Sequence, residues 1–197
     1  MKKVLILIAS VVFCNYTTTA QKIVETFDSN TFGWNEHSNK KGSANIEDGY
    51  LKLNAKKKCM VASTATLPIN VDTPFKITAK LFDPGYQRTD AYYMFVYDVE
   101  EGRNNSVFVI GFNSWALSEV GNKRTIKNSG KLKSSATKDK TIIFTMESNF
   151  KQRIFKINDV IICEIEGDPL TSSKCGFLLR SSDSWASELW IDEIVIE

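Results

Sequence analysis

The chain holds a single histidine, His37, and that scarcity removes much familiar chemistry. A Ser-His-Asp or Cys-His nucleophile would have to use it. A zinc centre would be starved of ligands. It lies in the polar stretch 35–41, where no neighbouring sequence supplies a nucleophile partner, and it reads as an exposed loop histidine. Cysteine is nearly as rare. Beyond Cys14 there are three, Cys59, Cys163 and Cys175. An odd number allows at most one disulfide, and no spacing among them resembles a metal-ligand pair. Cys163 alternates in step with Ile161 and Ile165, the pattern of a buried, inert thiol.

Charge of one sign is missing too. The 25 basic residues fall to 23 without Lys2 and Lys3, and 23 acidic residues balance them. A nucleic-acid partner calls for a basic excess or stripe. The short run Lys56-Lys57-Lys58 reads instead as an exposed turn between strands. Long apolar runs are absent except at the N-terminus, so no membrane span is expected. There, Lys2 and Lys3 precede an apolar stretch from Val4 to Phe13, with Thr18 and Ala20 at the −3 and −1 positions of a cut before Gln21. This is the pattern of a signal peptide over residues 1–20, which makes the mature protein secreted or periplasmic. Lipoprotein processing at Cys14 is disfavoured, because bulky Phe13 stands where that chemistry wants a small residue.

Helical periodicity is also lacking: no window of ten or more residues carries a capped i, i+3, i+4 stripe. The dominant period is two, at which side chains return to one face of a strand. Phe75, Ile77, Ala79 and Leu81 alternate with Lys76, Thr78 and Lys80, and Leu51 and Leu53 alternate with Lys52 and Asn54. Asp48-Gly49 and Asn158-Asp159 each separate two strand-like runs, which predicts two hairpins. Ala91–Val99 and Ser106–Asn113 read as strands broken around Gly102, and the Ser/Lys/Gly/Thr-rich stretch 127–140 reads as a loop. Regular short strands without crossover helices predict one all-β domain over residues 21–197, a two-sheet antiparallel β-sandwich.

The order of landmarks resembles the concanavalin A-like lectin/glucanase superfamily, in its laminin-G-like and 3-keto-disaccharide-hydrolase-like branches. Glu25-Thr26-Phe27-Asp28 with Gly33-Trp34 resembles the opening strand and loop. Asp48-Gly49-Tyr50-Leu51-Lys52-Leu53 resembles the second hairpin, and the runs 92–97 and 106–110 resemble the strands crossing the curved sheet. The hairpin 153–162 and the pair Cys175–Leu179 with Trp190–Ile196 complete the set. The resemblance covers the whole mature chain and implies a jelly roll. It leaves the activity open, because this fold hosts lectins, hydrolases, adhesins and non-catalytic modules.

Glycoside hydrolysis needs two facing carboxylates. The E-x-D-x-x-E string of the superfamily's glucanases is absent. Glu164, Glu166 and Asp168 come nearest but read as a solvated strand edge, and Asp98 with Glu100 and Glu101 reads as a turn. In Trp190–Ile196 the Asp192 carboxylate shares parity with apolar side chains. It reads as a turn cap or as a ligand of a structural Ca²⁺; no cofactor is required otherwise. Sugars dock on flat, partly exposed rings, which makes Trp115, Trp185 and Tyr92, with Arg180 as a polar companion, the candidate carbohydrate contacts. Trp115 and Trp185 stand among Asn, Ser and Asp, in loop-like settings.

Three readings follow. The chain is a secreted non-catalytic module binding carbohydrate or another extracytoplasmic ligand, a glycoside-acting hydrolase of the 3-keto-disaccharide type, or an interaction protein without a small ligand. The processing pattern makes a direct prediction. Exported from a bacterial host, the chain should have an intact mass beginning at Gln21, and a lipidated product beginning at Cys14 would contradict it.

Overall fold

Strand and turn alternate through the residues that the computed structural model describes: 22–84, 91–100, 105–111, 113–120, 124–132 and 141–197. The segment 1–21, with the expected cut, and residues 85–90, 101–104, 112, 121–123 and 133–140 lie outside them. No helix occurs among the described residues. Nine strands form one sheet: β1 (Ile23–Glu25), β2 (His37–Asn39), β3 (Gly42–Glu47), β4 (Tyr50–Ala55), β6 (Phe75–Phe82), β11 (Thr141–Asn149), β12 (Gln152–Ile157), β13 (Val160–Glu166) and β15 (Ser187–Ile196). Six form the other: β5 (Met60–Thr66), β7 (Tyr92–Tyr97), β8 (Asn105–Ile110), β9 (Ser114–Val120), β10 (Arg124–Lys131) and β14 (Lys174–Arg180).

All pairings are antiparallel. The larger sheet runs β13-β12-β11-β6-β15-β4-β3-β2, with β1 on β15, and the smaller runs β10-β9-β8-β7-β14-β5. The first and last strands therefore pair, Ile23 opposite Ile196. Both expected hairpins form, and their turn backbones explain them. Asp48 and Gly49 have φ of 53° and 74°, and Asn158 and Asp159 have 48° and 63°. Positive φ at both central positions gives the turn twist that matches flanking strands.

The inner faces of the two sheets meet over aromatic rings. Phe95 and Phe108 on the smaller sheet pack against Phe144 and Phe155 on the larger. Phe108 lies parallel to Phe155, with centroids 4.6 Å apart and planes 7° off. Trp34 and Phe27, from the loop after β1, extend this core, Trp34 sitting 5.9 Å from Phe177. The parity seen in sequence holds here: Phe75, Ile77, Ala79 and Leu81 are all buried.

Three expectations need correction. The stretch 127–140 is expected to be a loop, but its first residues, up to Lys131, belong to edge strand β10. Its apolar period is absent because an edge strand on a sheet's rim has little to bury. The stretch 106–113 is a strand only to Ile110; Gly111 and Asn113 turn into β9, so Trp115 lies on a strand and not in a loop. His37 sits in the short edge strand β2, half-buried, with its Nδ1 buried and unpartnered.

Both thiols in the sandwich behave as core. Cys163 and Cys175 are buried and unbridged, and burial pushes the Cys175 thiol up to about 12. The ring stack predicts where stability is held. Phe108→Ala should lower the unfolding free energy by about 3–5 kcal/mol in urea titrations. Ile126→Ala, on the exposed edge strand, should change it by no more than about 0.5 kcal/mol.

Candidate functional site

Because rings fill the space between the sheets, side chains of opposite parity in β7, β8 and β14 emerge on the outer face of the smaller sheet. Register sets them in ranks. Met60, Arg180 and Tyr92 lie side by side on β5, β14 and β7. The next rank is Ala62, Leu178, Met94, Val109 and Ala116. Met94, Val96, Val107 and Val109 form a second apolar cluster here, separate from the main core. Tyr92 and Arg180 of the first rank line a depression of about 240 Å³, together with Met94, Val109 and Ala116 of the next.

Tyr92 is 41% exposed, and Arg180 beside it is exposed. Gly111 makes room for the tyrosine ring, since a Cβ there would lie 3.3 Å from Tyr92 Cε1 and 3.1 Å from Ser114 Oγ. An aromatic edge, a guanidinium and a hydroxyl therefore surround an apolar floor. Among the described residues no carboxylate lines this depression.

Of the four residues expected to contact sugar, the structure gathers three around this depression. Trp115 borders it but is only 9% exposed. Its ring stacks on Phe108, centroids 5.9 Å apart and planes 14° off, and covers Gly130, where an added Cβ would lie 2.7 Å from Nε1. Trp115 is thus a core residue and not an open platform. Its inward parity on β9, with a glycine opposite to receive the ring, is the physical reason. Trp185 is the reverse case, 63% exposed and outside the depression's lining. Its loop follows Arg180. Ser182 Oγ accepts hydrogen bonds from the backbone N–H of Ser184 and Trp185 at 3.0 and 2.7 Å. The Lys58 N–H donates to Ser182 O at 2.9 Å, tying this loop to the lysine turn ahead of β5.

Asp192 does not share the inward face with Ile194 and Ile196. The register of β15 against β6 slips between Ile191 and Glu193, so the inward parity carried by Leu189 and Ile191 passes to Ile194 and Ile196. Asp192 consequently turns outward, where Lys80 Nζ holds its carboxylate at 2.5 Å. Trp190 is also outward, between Tyr50 and Phe82 at 5.4 and 5.6 Å, with Lys52 Nζ 4.9 Å from its ring. Among the described residues no cluster of three or more His, Cys, Asp or Glu side chains is placed to hold a metal.

A larger concavity, about 820 Å³, opens at one end of the sandwich, between β7–β10 and β12–β13. Arg153, Tyr97 and Ser118 lie in it, buried, and Asn128 lines it from the exposed edge strand. Sequence reasoning missed this residue, although a signal existed: Arg153 shares parity with Phe155 and Ile157, both fully buried. Glu166 and Asp168 stand on its rim, exposed, as expected of the edge strand β13.

No family model matches the chain, and no curated protein matches it in sequence. Solved structures do match in shape. A Bacillus subtilis protein of unknown function with a galectin-like fold superposes with a TM-score of 0.65 at 12% identity, over 89% of this chain and 94% of that one. A Bacillus licheniformis β-glucanase gives 0.63 at 8% identity, over 90% and 98%. The metal-free carbohydrate recognition domain of Emp46p gives 0.67 at 8% identity, over 87% and 93%. The fold is the concanavalin A-like jelly roll; at these identities the likeness concerns the fold alone.

The placement of the tryptophans is checked by fluorescence quenching. With acrylamide, Trp185→Phe should remove most of the quenchable emission, whereas Trp115→Phe should remove emission that the quencher does not reach. The opposite pattern would reverse the assignment of the two rings.

Proposed function

We propose that the chain is a secreted, non-catalytic module that binds carbohydrate on the outer face of its smaller sheet, at the Tyr92–Arg180 depression. The observation that carries this reading is the half-exposed Tyr92 ring, seated over Gly111 beside an exposed guanidinium and above an apolar floor. Sugars present apolar C–H faces and a belt of hydroxyls, so they need a flat ring and nearby polar donors together. At about 240 Å³ the depression is smaller than the usual range for a small-molecule pocket, which suits one sugar unit lying across the sheet.

Two further considerations support binding over cleavage. Among the described residues no carboxylate lines the depression, and the acids nearest the superfamily's catalytic spacing lie on the exposed edge of the other sheet. One structural neighbour is itself a carbohydrate recognition domain and another a β-glucanase. The same fold serves both, so the site and not the fold decides. Trp185, on the loop that follows Arg180, would supply a second ring to a longer glycan.

The test is a glycan array with residues 21–197, followed by titration of the best glycan. Tyr92→Ala and Arg180→Ala should each weaken binding about tenfold, roughly 1.4 kcal/mol, with unchanged melting curves. Full affinity in both variants would remove the depression from consideration. Failure to bind any glycan would favour an interaction protein without a small ligand.

A further inference from the structure

The end cleft is a second site, and its chemistry is not that of a neutral sugar. Arg153 is only 6% exposed. A guanidinium stays protonated at any physiological pH, so its burial calls for a counter-charge. None is supplied. No carboxylate lies within 4.0 Å of it among the described residues, and its hydrogen bond runs from Nη2 to the backbone oxygen of Asp168. Its Nε is buried and unpartnered. The Tyr97 ring, 5.9 Å away, gives only a cation–π contact. Burial pushes the Tyr97 phenol up to about 12, against the opposing pull of Arg153, so that ring stays neutral and cannot act as counter-ion.

The surroundings keep this guanidinium in place. Gly167 lies against it, and a Cβ there would sit 2.7 Å from Nη1. Among the described residues the four acids lining the cleft are otherwise engaged or turned to water. Asp98 accepts the backbone N–H groups of Thr171 and Ser172 at 2.7 and 2.8 Å. Glu119 pairs with Lys127 at 3.0 Å. Glu166 and Asp168 are exposed at the rim.

We propose that this cleft binds a singly charged oxyanion, a carboxylate or a sulfate monoester carried on a small polar molecule, with Arg153 as its anchor. A planar fork of donors suits such a group. The rim carboxylates disfavour a dianion such as a phosphate monoester. A volume of about 820 Å³ accommodates a molecule of ordinary ligand size around the charged group. The inference does not rest on the sugar-binding depression, which lies on another face of the protein.

Four ligands on one scaffold test it by titration at low salt: glucuronate, glucose 6-sulfate, glucose 6-phosphate and glucose. Glucuronate or the 6-sulfate, or both, should bind at least about tenfold more tightly than glucose and the phosphate, and shift the backbone amide signal of Gly167. Whichever of the two binds identifies the oxyanion. Equal or absent binding of all four, or shifts confined to Gly111, would overturn the proposal. Arg153→Met should lower anion affinity at least about tenfold while leaving any binding lost in Tyr92→Ala untouched. Should that variant not fold, the double variant Glu166→Gln, Asp168→Asn decides, because both positions are exposed. Removing two rim charges should tighten anion binding about two- to fivefold, and the gain should fade as salt is raised. Unchanged or weaker binding would count against the cleft.

Discussion

The parallel contact of Phe108 with Phe155, with Phe95 and Phe144 around it, joins the two sheets, and the placement of everything else follows from it. Rings of this size fill the interlayer space and leave no room for a ligand between the sheet centres. Polar chemistry is thereby confined to the outer faces and to the ends where the layers part. The sheet-face depression and the end cleft occupy these two places.

Much of the fold was legible because strand parity is a strong signal wherever one face is buried. Phe75 to Leu81 alternate cleanly, and Asp48-Gly49 and Asn158-Asp159 fix their hairpins through left-handed backbone that few dipeptides adopt so readily. Parity fails where register slips. Asp192 was placed on the wrong face because one slip in β15 shifts every later side chain. Ile161 is exposed, out of step with Cys163, for the same reason in the pairing of β12 with β13. A slip of this kind has no composition of its own and shows only in the partner strand.

The candidate site was legible by half. Tyr92 lies opposite in parity to Tyr93, Phe95 and Tyr97, which suffices to put it on an outer face once the other three are inside. Arg180 follows by register, being opposite Tyr92. Trp115 could not be assigned this way. Its polar neighbours Asn113 and Ser114 suggested a loop, and the glycine that receives its ring, Gly130, lies in a strand with no visible period. Local composition reports exposure of the neighbours; it does not report which way the ring turns.

Arg153 shows the limit of reading core positions as apolar. It occupies an inward position beside Phe155, and an apolar side chain of its length, methionine for example, would bury there without an unpaired charge. Keeping a guanidinium is unfavourable for stability unless something compensates, and one backbone carbonyl with one ring face compensates only in part. The depression around Tyr92 has the opposite character, open and without buried charge. One fold therefore carries a weakly polarised surface suited to neutral hydroxyls and a confined positive group suited to an anion. The aromatic stack between the sheets keeps the two apart.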